Sequence, residues 1–296
     1  MSLTPVILFM ALFVNPLEGT WKYNFIKEKT SVVEVCNGTT VKVVEFECNI
    51  STDEDVYWER GGGITKGRKL RVEVKENADG GNYTCHLMNG DIVDYRVILL
   101  RNVCLTRTQE IPPESDLDIQ CEAKNCSGQF KCFWAAPKMK ITKYSAEADR
   151  SGSPINCNAP VSNKSHIVVS CQDLETCVYG EEDSHIDFTV HEIYQNKYEN
   201  HFTSFMLRDI TKPDPPQELH SLDGSLKWKY PNTWCNFHSF FPLIFNVHVK
   251  SKGWSEHHND IKSTKLKLSK KGKFSFCVQA RDMFYNSSWS DWTCSK

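Results

Sequence analysis

The residues of this chain best equipped for chemistry are its cysteines. There are thirteen among 296 residues, and a thiol can ligate a metal, attack a substrate or pair with another thiol. Metal ligation asks for close Cys-x-x-Cys pairs or a Cys/His finger, and neither occurs. Catalysis asks for a cysteine–histidine pair left over once disulfides are assigned, and none stands out. Pairing in an oxidising compartment is the reading that remains. Other catalytic signatures fail on inspection. GGGITKGRK (61–69) lacks the Gly-Lys-Ser/Thr ending of a phosphate loop and reads as a turn. His257-His258 has no His-Glu-x-x-His frame and reads as a solvated loop. No Gly-x-Ser-x-Gly elbow is present. The expectation is a non-enzyme with no cofactor and no metal. A net charge of −2 offers no field for nucleic acid. The lysine-rich run 262–273 reads as a charged outer strand face, with a weak patch for sulfated glycans as the sharper alternative.

The compartment is written at the start. Val6 to Val14 is an apolar run, broken by Asn15-Pro16, with small Gly19 beyond. It is too short to span a bilayer and fits a signal peptide over residues 1–19. No later stretch approaches the apolar length of a membrane span, so the mature chain is expected to be secreted. Six Asn-x-Ser/Thr sequons, at Asn37, Asn49, Asn82, Asn125, Asn163 and Asn286, fit a glycosylated extracellular surface.

Short alternating strands must position these groups. In 20–106, VKVVEFECNI places Val44, Phe46 and Cys48 on one face, and KLRVEV alternates again. Cys48 and Cys85, Trp58 between them, and Tyr83 two residues before the second cysteine resemble the immunoglobulin superfamily. Inward cysteines on opposite sheets would bridge them, Trp58 would pack on the bridge, and closing the loop would contribute roughly 4 kcal/mol. Cys36 and Cys104 flank this domain and could join its first and last strands. Residues 107–211 hold Cys121, then Cys132-Phe133-Trp134, then Cys157 and Cys171. Three prolines between Pro213 and Pro216 stiffen a junction, read as an inter-domain elbow. Residues 212–296 contain FPLIFNVHVK with Leu243, Phe245, Val247 and Val249 inward, and KFSFCVQARD with Phe274, Phe276, Val278 and Ala280 inward. The expected fold is all-β: an immunoglobulin-like sandwich followed by two fibronectin type III sandwiches.

Cys-x10-Cys-x-Trp, the proline elbow and Trp289-Ser290-Asp291-Trp292 in that order resemble class I cytokine receptors. In such an array Arg281 can stack against Trp289 and Trp292 by cation–π contact. Gln279 stands where such ladders often carry another arginine, so the ladder is expected to be short. More narrowly, CEAKNCSGQFKCFW (121–134), KYENHFTSFMLRDITKPDPP (197–216), KYPNTWCNFHSFF (229–241) and QARDMFYNSSWSDW (279–292) are similar to the interleukin-12 beta-subunit family, which interleukin-23 shares.

The resemblance implies a receptor-shaped cytokine subunit that binds a four-helix-bundle alpha subunit and helps engage a cell-surface cytokine receptor. A soluble receptor that captures a cytokine, and an adhesion module using the first domain, are the competing classes. The resemblance places the partner at the elbow, on Cys126, Glu181, Phe240, Asp282, Phe284 and Tyr285, with Asp282 receiving an arginine from the helical partner. The family carries tyrosines at the positions of Cys126, Phe240 and Phe284. It also implies an inter-chain disulfide at Cys177, which an odd cysteine total accommodates; a bond from Cys177 within the domain, to Cys126 or another neighbour, is the alternative. Pairs 48–85, 121–132 and 157–171 follow from the motifs. Cys126, Cys235, Cys277 and Cys294 stay open, with 277–294 preferred over 235–277.

Overall fold

The computed structural model describes residues 29–36, 41–51, 54–75, 77–103, 117–136, 143–163, 165–174, 182–235, 240–269, 273–285 and 287–295. The expected Cys36–Cys104 pair falls partly outside them. Cys36 is disulfide-bonded, and Cys104 lies outside the described residues, as do Cys177, Glu181, Asn37 and Asn286. The chain is all-β, built of immunoglobulin-like and fibronectin-type-III sandwiches. It divides into two compact units: Met1–Arg107 with Ile193–Tyr198, and Thr108–Glu192 with Glu199–Lys296.

In the first unit the strands are β1 (Thr30–Val35), β2 (Lys42–Glu47), β3 (Val56–Arg60), β4 (Gly63–Lys66), β5 (Lys69–Val74), β6 (Gly81–Leu87) and β7 (Ile92–Asn102). One layer pairs β2 with β5 antiparallel; the other runs β4-β3-β6-β7, with β1 parallel to β7. Period-two alternation sends Val33, Val35, Phe46, Leu70 and Val74 inward to a core around Trp58, which is 1% exposed. The Cys48–Cys85 disulfide joins the layers. The Trp58 indole N–H donates to the Arg68 carbonyl at 3.1 Å. The Tyr83 hydroxyl donates to the Asp79 carbonyl at 2.7 Å, the corner bond its position before Cys85 implied.

The second unit holds two cores. The first gathers β8 (Gln120–Ala123), β9 (Gln129–Ala135), β10 (Lys143–Arg150), β11 (Ser153–Cys157), β12 (Val161–Ser162), β13 (His166–Gln172), β14 (Ile186–Tyr194) and β15 (Lys197–Phe205) around Phe130, Trp134, Phe188 and Val190. Cys121–Cys132 and Cys157–Cys171 link strand neighbours in register. The second core has one sheet of β16 (Gln217–Leu222), β17 (Ser225–Lys229) and β20 (Lys265–Lys267). Its other sheet runs β19-β18-β21-β22, from β18 (Leu243–Ser251), β19 (Trp254–Ile261), β21 (Phe274–Asp282) and β22 (Thr293–Cys294). Phe245, Val249, Phe276, Val278 and Ala280 are fully buried there. Cys277 pairs with Cys294 across β21 and β22.

Two hairpin turns show how tightly local chemistry sets register. Ser151-Gly152 and Asp223-Gly224 both have positive φ at each position, 51° and 85°, and 49° and 76°. That is the type I′ geometry whose twist suits a two-residue hairpin. One expectation needs correction: His257 and His258 are not in a loop but in β19, and the His257 ring stacks on His248 at 3.9 Å between centroids. Polar residues alternate along this edge strand, so hydropathy alone reads it as loop.

Trp58 is a large, fully buried member of the first core, so Trp58→Ala should cost about 3–5 kcal/mol. Chemical denaturation followed by tryptophan fluorescence and near-ultraviolet circular dichroism would show it as an earlier transition.

Candidate functional site

Within the second unit, ten residues from its two cores line a cleft at the junction: Asn125, Cys126, Glu182, Leu207, Arg208 and Thr211 from one, Trp234, Phe241, Asp282 and Tyr285 from the other. Its volume is about 40 Å³, room for the tip of one side chain rather than a metabolite.

The junction is built from the backbone outward. The Ala123 N–H donates to the Ile210 carbonyl at 3.0 Å, and the Lys212 N–H returns to the Ala123 carbonyl at 2.7 Å. The segment entering the prolines is thus fastened to the end of β8. The Thr211 hydroxyl donates to the Leu207 carbonyl at 2.8 Å.

Two buried acids face this cleft in different electrical settings. The Glu182 carboxylate is fully partnered. It accepts the Leu207 N–H at 2.9 Å, the Arg208 N–H at 2.8 Å and an Arg150 guanidinium N–H at 2.7 Å. Arg150 also donates to Asp173 at 2.9 Å. Arg208 donates to the Glu182 carbonyl at 2.9 Å and lies over the Tyr285 ring at 5.2 Å.

Asp282 ends β21 at 4% exposure. One carboxylate oxygen accepts the Phe284 N–H at 2.7 Å and the Tyr285 N–H at 3.1 Å, forming an Asx-type turn. No cation pairs with it among the described residues. Burial pushes its carboxyl above the ordinary carboxylate value, and the two N–H donors offset this only in part.

The Trp-Ser-x-Trp segment braces the strand that presents Asp282. The Ser290 N–H donates to the Ala280 carbonyl at 2.7 Å, and its hydroxyl oxygen accepts the Ala280 N–H at 2.9 Å. The Ser287 hydroxyl accepts the Asp282 N–H at 3.3 Å. Arg281 lies over the Trp289 ring at 4.8 Å, and Trp292 is 46% exposed.

Of the residues the sequence assigned to the elbow, Cys126, Asp282 and Tyr285 line the cleft. Phe240 and Phe284 stand outside that lining as exposed rings, 54% and 60%. Glu181 lies outside the described residues, and its neighbour Glu182 lines the cleft. Cys126 is not an open contact side chain: its sulfur is bonded to Cys235, which settles the open pairing and removes the Cys126–Cys177 alternative. Glu182, Leu207, Arg208, Thr211, Trp234 and Phe241 were missed, and Asn125 was named only as a sequon. Their only sequence signal is membership of the segments around the elbow. Among the sequons, Asn49, Asn82 and Asn163 are exposed, while Asn125 is half-buried and its amide donates to the Thr233 carbonyl at 2.6 Å.

One group has metal-like composition: Glu192, Glu199 and His201. The Leu117 N–H points to His201 Nδ1 at 3.4 Å, and Nε2 faces Glu192 at 3.3 Å. A ligating histidine donates from its second nitrogen; this one accepts, which disfavours ligation. No helix among the described residues is long and apolar enough to cross a membrane.

Immunoglobulin-like and fibronectin-type-III sandwiches, with a Trp-Ser-x-Trp brace beside a small cleft in the second unit, are the modules of a receptor-like protein. The family model described as cytokine interleukin-12p40 C-terminus matches residues 117–194. Interleukin-12 subunit beta of Felis catus is 32% identical over 320 residues, covering 96% of this chain and 95% of that one. The same subunit of Sigmodon hispidus is 32% identical and that of Homo sapiens 29%, each over 316 residues, 96% of this chain and 94% of the relative. The chain belongs to the interleukin-12 subunit beta family, whose members are cytokine subunits and not enzymes.

Asp282 sets a pH signature. Its carboxyl titrates higher folded than unfolded, so the folded state holds the proton more tightly, and stability falls as pH rises from the ordinary carboxylate value through the folded one. Asp282→Asn keeps an oxygen for the two N–H donors and removes the buried charge. The variant should match or exceed wild-type stability at neutral pH and lose the advantage near pH 4, in denaturant midpoints measured across that range.

Proposed function

We propose that this chain is the receptor-like beta subunit of a secreted heterodimeric cytokine, docking a four-helix-bundle alpha subunit at the elbow of its second unit and helping engage a cell-surface cytokine receptor. The observation that carries the reading is Asp282: a carboxylate 4% exposed, in a cleft of side-chain size, with no cation against it among the described residues. Burying a charge without a partner is unfavourable. An arginine reaching in from a helix would supply both the counter-charge and the missing donors. The exposed rings of Phe240 and Phe284 near the same strand end supply apolar surface of the kind that interface cores use. The relatives' names, each a subunit of interleukin-12, support the assembly.

Cysteine parity supports a covalent link. Thirteen is odd, and the eleven cysteines among the described residues are all disulfide-bonded. Ten of them form five mutual pairs. Cys177 is the proposed inter-chain cysteine.

The test is co-expression with alpha chains from the same source, followed by non-reducing electrophoresis of the medium. The expected product is a disulfide-linked heterodimer. Cys177→Ser should abolish the covalent species while leaving a non-covalent complex. Asp282→Ala should weaken assembly by about 2–4 kcal/mol. A wild-type chain that stays monomeric with every helical partner would overturn the proposal.

A further inference from the structure

The Cys126–Cys235 disulfide differs in kind from the other bridges among the described residues. Cys121–Cys132, Cys157–Cys171 and Cys277–Cys294 each join paired strands inside one sheet, and Cys48–Cys85 joins the layers of one sandwich. Cys126–Cys235 spans 109 residues. It ties the segment between β8 and β9, in the first core of the second unit, to the segment after β17 in the second core. It therefore crosses the proline junction.

Beside the Ala123 backbone pair and the Arg208–Tyr285 contact, the side-chain ties at this place are polar and partly wet. Asn125 donates to the Thr233 carbonyl, and the Thr233 hydroxyl donates to Asp214 at 2.7 Å. Lys212 pairs with Asp291 at 3.0 Å, where Asp291 is 80% exposed in its side chain. Such contacts hold weakly against water. The disulfide is the strong tie. Cys235 is 5% exposed, and Cys126 packs against the second core although it belongs to the first in sequence. The Cys126 N–H also points at the Cys235 sulfur at 3.1 Å. Cys126 is at the same time a wall of the cleft that holds Asp282 and Tyr285.

We infer that Cys126–Cys235 is a clamp that fixes the angle between the two sandwiches of the second unit and holds the cleft preformed. A cleft assembled from two bodies keeps its shape only if the bodies cannot swing, and a preformed site avoids the ordering cost of association. The clamp stands without the docking reading. Its consequence for affinity rests on that reading.

The test uses the full secreted chain and its Cys126→Ser/Cys235→Ser variant. If serine at the buried position blocks secretion, Cys126→Ala/Cys235→Val refills the volume. Hydrogen exchange followed by mass spectrometry reads peptides over 121–127, 207–216 and 230–235, with 186–190 and 244–249 as core references. The clamp predicts at least roughly tenfold faster exchange at the junction peptides, with the core references unchanged. Equal exchange at the junction overturns it, whatever partner is present. With the alpha chain recovered in the co-expression experiment, the opened variant should bind roughly tenfold more weakly. Wild-type affinity in a variant whose junction has loosened would overturn preorganisation. A wild-type chain that captures no alpha chain defeats the docking reading, and the exchange measurement still decides the clamp.

Discussion

A carboxylate removed from water must find a counter-charge or keep its proton. That constraint organises the second unit. Glu182 and Asp282 are buried acids lining one small cleft, and their surroundings assign them different roles. Glu182 is locked by Arg150 and by two backbone N–H groups, so its charge belongs to the fold. Asp282 has two N–H donors on one oxygen and no cation among the described residues, so its charge is left unanswered. The first acid builds the wall, and the second leaves in it a carboxylate that no cation among the described residues answers.

Asp282 is held at a braced strand end. It sits at the end of β21, where it faces Leu243 of β18 in register. Ser287 and Ser290 continue hydrogen bonding along its strand, and Arg281, next to it in sequence, stacks on Trp289. The tryptophan motif thus braces the backbone of the strand end that carries Asp282. Arg208 performs a similar service from the other core, tying Tyr285 to the Glu182 backbone through a ring contact and a hydrogen bond.

How much of this was legible in the sequence follows from the range of each interaction. Phe245, Val247 and Val249, or Phe276, Val278 and Ala280, announce their strands because alternation is a period-two property of neighbouring residues. Cys48, Trp58 and Tyr83 are legible because the packing of one sandwich fixes their spacing. Asp282 was legible as the residue that follows a core strand. The Arg150–Glu182–Arg208 arrangement was not, because nothing local distinguishes Glu182 from its neighbours; only folding brings it to Arg150. The Cys126–Cys235 bond was hidden for the same reason, since partners 109 residues apart meet only through tertiary structure. His257 was misread because an exposed edge strand with polar side chains carries no hydrophobic period.

The central claim is that Asp282 is held unpaired in the free chain and answered by a cation in the assembly. It is tested most directly by following its side-chain carboxyl carbon by NMR through a pH titration, first alone and then with the alpha chain bound. The account requires a midpoint above the ordinary carboxylate value in the free chain and below it in the complex. An ordinary midpoint in the free chain, or one that does not move on assembly, would contradict it.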